Sequence, residues 1–489
     1  RIPLRRSARI VHGNALAIDW NDVLPASECT HILGNPPFRG HQWRSAEQQT
    51  DMHRVWGRDG SVNRLDYVTC WFRKAVDYAR ANAKIEVAFV ATNSISQGEQ
   101  VGILWPALFA DGARIRFAHR TFRWSSEAPG QAAVHCVIVG LAFDDRGPRR
   151  IYDYENVNGE PHVTEVTRIN GYLIAGPSHA LPARTQPPEG RLKLSKGSQP
   201  TDGARLRTES GYVTTSNLIL DDDDRDELLA SDPAAERWLR RYGGSEELIS
   251  GRWRWCLWLK DADPAELSRS PAILERLERV RRGREQSPTA SVRDFARYPT
   301  LFTQDRQPSV PYLAIPEVSS ETRDYIPMAI LGPEIIASNK LMLMPGADLF
   351  YFGILTSPMH MAWMRVVAGR LESRYSYAPT VYNSFPWPEA TDAQRGRVMA
   401  LAQAVLDARS AFSGSPLEVL YDPATMPPLL RRAHDALDTG VDRLYRSARF
   451  RFERERVEFL FERYEAAAAP LAPVAAPARR RRASRSRRP

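Results

Sequence analysis

The sequence predicts an α/β protein, with an open sheet in residues 1–150, an α+β region after it and a helical end. Three observations lead there. Two apolar runs, Ile32-Leu33 and Ile85 to Ala91, each stop at a polar corner, Asn35-Pro36-Pro37 and Thr92-Asn93-Ser94. Between them, Leu65 to Asn82 places Leu65, Val68, Phe72, Ala75, Val76 and Ala79 at helical spacing, so strand, helix and strand alternate. From Arg150 onward Pro, Gly, Ser and charge increase while apolar runs shorten, which marks a domain boundary.

In chain order, Ile10-Val11 reads as a strand followed by a turn at Gly13-Asn14. The stretch Gly34-Asn35-Pro36-Pro37-Phe38 closes the next strand, because neither proline can donate to a sheet ladder. The chain must leave the sheet there. An amide side chain, a backbone carbonyl and an aromatic ring then stand at the carboxyl edge, where open α/β sheets bind ligands. Such a set suits a planar base carrying an amino group: Asn35 and the Pro36 carbonyl accept its two hydrogens while Phe38 covers its face. Accepting both hydrogens draws the nitrogen lone pair out of conjugation and aims it at an electrophile. The competing reading is an ordinary Asn-Pro-Pro turn.

Polar residues from Arg39 to Arg64 read as a mobile loop over this corner. Asp66-Tyr67 stand where they could reach a cofactor, although helix capping and core packing are the simpler roles. Thr92 to Glu99 should face the same pocket, and Val101 to Phe109 resumes as a helix. Ile115 to Val139 forms a strand pair around a loop with Arg120, Phe122, Arg123 and Trp124. Rings alternating with arginines can stack on a base and pair with phosphate, or can mark a strand with one buried face.

Gly34 to Phe38 resembles the Asn-Pro-Pro-Tyr/Phe motif of amino-methyltransferases that modify DNA, in which Asn or Asp in first place goes mainly with adenine. Together with His12 to Asp19, Leu65 to Ala75, Ala88 to Trp105 and Phe117 to Gly140, it resembles the MmeI-like family of adenine-specific DNA methyltransferases, with the gamma order of motifs. Tyr312 to Pro388 and Tyr421 to Pro428 extend the likeness. The resemblance implies a Rossmann-like class I methyltransferase sheet, S-adenosyl-L-methionine as cofactor, and transfer to the N6 of an adenine flipped out of double-stranded DNA. It assigns catalysis to Asn35, Pro36, Pro37 and Phe38, base stacking to Phe122 and Trp124, and cofactor contacts to Asn14, Ala15 and Asn35. DNA contacts fall to Arg120, Arg123, Arg370, Arg374, Tyr375 and Ser376. The setting it implies is restriction-modification or phage defence. One departure stands out: no glycine-rich cofactor loop precedes His12, and residue 1 is an arginine, so the sheet is expected to be incomplete at its amino end.

By the same resemblance, residues 151–388 form a target-recognition domain. Within it Asp221 to Asp224 read as a solvated acidic loop, and Trp253 to Leu259 as a strand with three tryptophans. Pro271 to Ser287 reads as a helix whose arginines lie along phosphate or are merely solvated. Arg370, Arg374, Tyr375 and Ser376 read as a phosphate-contacting loop. Residues 389–467 are helical by periodicity and either clasp DNA or brace the recognition domain; 468–489 form an Ala/Pro/Arg tail expected to be disordered.

The net charge of +9 owes seven arginines to residues 479–488, so about +2 remains for the body and bulk charge says little. Four well-separated cysteines and ten scattered histidines give neither a disulfide framework nor a metal-ligand pattern, and no apolar run approaches the ~18 residues of a membrane span. A cytoplasmic protein with no metal is expected. Two other readings are a DNA-binding specificity module without activity, and an amino-methyltransferase acting on RNA or protein. The long region after residue 151 weighs against the second.

Overall fold

The proline stop after Gly34 and the alternating strands downstream build one six-stranded mixed sheet. The computed structural model describes residues 8–124, 134–154, 159–176, 184–203, 205–208, 211–214, 216–371 and 374–468. Its first strands are β1 (His31–Gly34) and β2 (Glu86–Thr92), joined through α1 (Ala46–Trp56) and α2 (Thr69–Ala79). After α3 (Gly98–Ala110) come β3 (Arg114–Trp124), β4 (Val134–Ala142), β5 (Arg149–Asp153) and β6 (His162–Val166), in the spatial order β1-β2-β4-β3-β5-β6. β1 and β2 are parallel, and β4 lies antiparallel between β2 and β3. The carboxyl ends of β1, β2 and β3 therefore share one edge. Residue 150 falls inside β5, and the sheet continues through Val166.

Alternation of burial along β2 explains its place: Val87, Phe89 and Ala91 point into the core, where the buried Phe72, Ala75, Val76 and Ala79 of α2 cover them. Gly140 on β4 is required by packing, because a Cβ there would come within 2.2 Å of the Phe117 ring.

Several expectations are corrected. Ile10-Val11 is not a strand; no neighbour pairs with it among the described residues, and Ile10 is exposed. Arg39 to Arg64 is not a loop but mostly helix, because Ser45 and Gln48 form a reciprocal capping box that starts α1 and buried Met52 anchors it. Asp221 to Asp224 is not a loop either. Asp221 caps the helix Asp222–Ser231 by accepting from the Asp224 amide, and the acids of the first turn suit the positive end of the helix dipole. Arg370 and Arg374 to Ser376 belong to a β-hairpin, Gly369–Leu371 paired with Arg374–Ser376.

The second half splits around two large cores and a small third one, in which Leu248 meets Tyr312, Ala314, Ala337, Leu341 and Leu343. Leu218 to Phe302 encloses its own cluster, including Leu220, Trp238, Cys256, Leu257, Ile273 and Val280, with Ile336 added from later in the chain. The main core is continuous from the sheet through Leu313, Phe350, Phe352 and Trp363 into the terminal helices, where Val441, Leu460, Phe461 and Tyr464 are buried. The helices Asp392–Ser410, Pro428–Tyr445 and Glu453–Ala468 thus brace the recognition region, packing on Leu349–Leu355 and Pro358–Val367. Beyond residue 468 the tail lies outside the described residues.

One polar cluster is sealed into that brace. The Tyr325 hydroxyl donates to Asp438 (2.6 Å), whose Oδ1 is sealed from solvent without a partner, and the Tyr325 ring stacks on His434 with centroids 4.0 Å apart. His434 Nε2 meets the Tyr421 hydroxyl (2.8 Å), which also accepts from Arg409 Nε (2.7 Å). Burial, with Asp442 and Asp435 nearby, pushes the Asp438 carboxyl up to about 8, against the Tyr325 hydrogen bond. The contribution of a carboxyl raised in this way is fully present only below its unfolded value near 3.8 and is lost progressively as pH rises from there to about 8. Buried His360 and His434, drawn down to about 3, act oppositely as pH falls below 6.5. Comparing Asp438→Asn with the parent isolates the acid: the variant's Tm advantage should grow as pH rises from about 4 to about 8, level off above 8, and vanish only near pH 4.

Candidate active site

The corner after β1 is open to solvent. Asn35 and Pro37 are exposed, Pro36 is buried and Phe38 is half-buried against the main core. Among the described residues the Asn35 amide and the Pro36 carbonyl make no hydrogen bond, so two acceptors stand uncommitted beside a fixed ring. Buried Pro36 pins the turn, which leaves its neighbours free to face a ligand.

Two carboxylates hold the corner in place. Asp66, buried at the start of α2, accepts from the His41 amide (3.0 Å) and from Ser94 Oγ (2.5 Å), while its own amide donates to Gln100 Oε1 (2.9 Å). It therefore ties the segment after the corner to the segment after β2. Asp51 on α1 accepts from both the Asn14 amide (3.0 and 3.1 Å) and the Tyr67 hydroxyl (2.7 Å), with Arg54 at 2.6 Å. Burial, reinforced by Asp51, pushes the Tyr67 phenol well above its ordinary range and keeps it a donor. The Tyr67 amide donates to the Arg39 carbonyl (3.0 Å), so an unbroken set of bonds runs from the Asn14 turn through Asp51 and Tyr67 to the corner. Lys74 on α2 adds a bond to the Leu16 carbonyl (3.0 Å), and Ala15 accepts from Trp20 Nε1 (2.9 Å).

Strand register places the other expected residues. Phe122 and Thr92 both pair with Cys136, so Phe122 stands level with the end of β2 on the same edge as the corner. Three strand spacings, roughly 14 Å, separate β3 from β1. A stacking loop must therefore lean across the sheet, and residues 125–133 at its tip lie outside the described residues. Phe122 packs on Tyr154 (centroids 5.6 Å); Arg123 and Trp124 continue β3 opposite His135 and Val134. Arg120 pairs with Asp153 (2.7 Å) and lines a cavity of about 250 Å³ shared with Val366 and Val457, away from the corner. The hairpin bearing Arg370 and Arg374 abuts the rim: a Cβ on Gly98, at φ +59°, would lie 3.4 Å from the Gly369 Cα. Tyr375 is buried beneath Arg370, whose Cζ is 4.5 Å from its ring, while Arg374 is exposed and Ser376 half-buried.

The basic helix Pro271–Glu285 is mostly committed within the protein. Arg276 pairs with Asp224, Arg281 and Arg282 with Glu278, and Arg284 is buried. Among the described residues no cluster of three or more His, Cys, Asp or Glu is placed to hold a metal ion, and no helix is long and apolar enough to cross a membrane.

Asp51 and Lys74 escaped assignment from sequence, whereas Asp66 and Ser94 were placed near the pocket without their partners. The Ser45-x-x-Gln48 capping box was the available signal, since a helix there turns Asp51 and Met52 inward.

A class I methyltransferase sheet with an acceptor-bearing corner at its edge is what fold and site define. Matches to family descriptions agree: the MmeI DNA-methyltransferase domain over residues 1–153, the MmeI target recognition domain over 175–389 and the MmeI C-terminal domain over 390–472. The chain belongs to the MmeI family. It is 36% identical over 469 residues to DNA methyltransferase A of Bacillus subtilis (strain 168), covering 95% of this chain and 51% of that protein. It is 42% identical to the solved Type IIL restriction-modification enzyme MmeI in complex with DNA, with a TM-score of 0.88 over 96% of this chain and 61% of that one. The chain thus spans little more than half the length of these relatives.

Proposed function

We propose that this chain is the methylating and sequence-reading part of a DNA methyltransferase that acts on the exocyclic N6 of an adenine flipped from the duplex, in a restriction-modification or phage-defence setting. The observation that carries the reading is the pair of uncommitted acceptors, Asn35 and the Pro36 carbonyl, beside Phe38 on an open sheet edge. An adenine seated there donates both amino hydrogens, and its nitrogen lone pair turns out of the ring plane. Phe38 covers one face, and an aromatic from the Phe122/Trp124 rim closes the other.

The residues present fit the reacting end of S-adenosyl-L-methionine, which when bound supplies an electrophilic methyl group. Asn35, with Asn14 and Ala15 on a turn held by Asp51 and Lys74, would hold it. Arg120, Arg123, Arg370, Arg374, Tyr375 and Ser376 are proposed to meet double-stranded DNA around this rim, with residues 151–388 reading sequence and 389–467 bracing them. Four unpaired, buried cysteines fit a reducing, DNA-containing cytoplasm.

Sequencing modified bases in DNA from cells that express the gene tests the reading: N6-methyladenine within one short recurring sequence is expected, and unmodified DNA would overturn it. A second reading is a DNA-binding specificity module without activity. Tight one-to-one binding of S-adenosylmethionine by calorimetry would exclude that second reading.

A further inference from the structure

Trp43 lies five residues beyond Phe38, in the single turn His41–Trp43, and its side chain is 69% exposed. Of the tryptophans whose side chains are described, it alone is exposed; Trp20, Trp56, Trp71 and Trp387 all pack on the main core. An exposed indole on the segment that follows the corner is a flat contact surface available to a ligand.

Its mount is fixed. The Trp43 amide donates to the Gly40 carbonyl (2.9 Å), the His41 amide to Asp66 (3.0 Å), and Arg44 reaches the carbonyls of Asn63 (2.5 Å) and His41 (3.3 Å). Nearby in the chain, Arg39 is exposed and makes no ion pair among the described residues, and Arg44 follows Trp43 directly. An exposed ring on a bonded turn, an uncommitted guanidinium and a neighbouring corner with two free acceptors match nucleic acid better than an apolar protein partner.

We infer that Trp43 is a wedge that stacks against the bases at the gap left by the extruded adenine, with Arg39 on a neighbouring phosphate. The inference rests on the base-flipping reading above. Extrusion costs the stacking and pairing of one nucleotide, and an inserted apolar side chain recovers part of that cost. The wedge therefore matters most where the target is paired and least where it is already unpaired.

The test compares Trp43→Ala and Trp43→Phe with the parent chain on a short labelled duplex that carries the sequence identified by modified-base sequencing. One form is fully paired and the other has a mismatch opposite the target adenine. Trp43→Ala should weaken binding to the paired duplex by ~10–100-fold and to the mismatched one by no more than about 3-fold, with Trp43→Phe close to parent. Equal losses on both duplexes, or no loss on either, overturn the inference. An exposed side chain leaves Tm unchanged, which separates this result from misfolding. Should Asn35→Ala methylate normally, the catalytic reading falls while the affinity comparison still decides the role of Trp43. Should no modified sequence emerge, both fall together.

Discussion

Replacing Asn35 with alanine is expected to lower the single-turnover methylation rate by at least ~100-fold while leaving affinity for duplex DNA within about 3-fold. The asymmetry follows from where the interaction is made. In the ground state the adenine amine is nearly planar and its hydrogens bond Asn35 and the Pro36 carbonyl only moderately. As the nitrogen becomes pyramidal and positive those hydrogens grow more acidic, so the same two acceptors bind the transition state more strongly than the substrate. Alanine removes one acceptor and leaves the corner folded, because Pro36 and Phe38 supply its packing and Asn35 is exposed. Measuring rate and affinity on one duplex separates the two effects. Parent-like turnover by this variant would end the proposed chemistry, and a loss confined to affinity would make Asn35 a binding group only.

The largest effect on stability is expected at Arg284. Its guanidinium is fully buried and donates to five backbone carbonyls, those of Pro200 (2.9 Å), Thr201 (3.1 Å), Phe295 (3.3 Å), Tyr298 (2.8 Å) and Leu301 (2.7 Å). Burial lowers its pKa and the nearby Asp202 raises it, a buried cation compensated by carbonyl dipoles and one carboxylate. Asp202 is itself occupied, accepting from Ser216 Oγ and from the amides of Asn217 and Leu218. Arg284→Met keeps much of the volume but strands the carbonyls and the acid together, at a cost of roughly 3–5 kcal/mol. Urea unfolding followed by the fluorescence of the clustered tryptophans 238, 255 and 258 should show an early transition of residues 200–307. A shift below about 1 kcal/mol would mean that water replaces the guanidinium and that the arginine is not structural.

The elements that carried the argument were legible because their signals are local. Two consecutive prolines stop a strand whatever surrounds them, and the spacing of Phe72, Ala75, Val76 and Ala79 marks a helical face without reference to its partner. The periodicity of Val441, Tyr445, Val457, Leu460 and Phe461 likewise survives in the terminal helices, where all five are buried. What was not legible depends on distant partners. Asp51 looks like an ordinary surface acid until α1 and α2 bring Asn14 and Tyr67 around it, and the link that Asp66 makes between His41 and Ser94 is invisible without their positions. The arginines of Pro271–Glu285 look like a phosphate-binding face until Asp224, Glu278 and five carbonyls claim most of them. Ile10-Val11 has strand composition but no neighbour among the described residues, and strand character requires a ladder. Composition states what a segment can do, and the partner decides which of those options it takes.

The two large cores fix where the molecule can be cut and rejoined. Exchanging the whole of residues 175–389 between relatives would sever the packing of Phe350, Phe352 and Trp363 against the terminal helices, so such chimeras should misfold unless both parts travel together. The segment from about 200 to 307 has its own interior and its own Arg284 clasp, but it meets the remainder along a packed seam: Tyr242 and Gly243 pair with Ile336 and Ala337, and Leu248 and Trp253 cluster with Tyr312, Ala314, Leu341 and Leu343. Grafts of that segment should retain solubility only where the residues of this seam are matched.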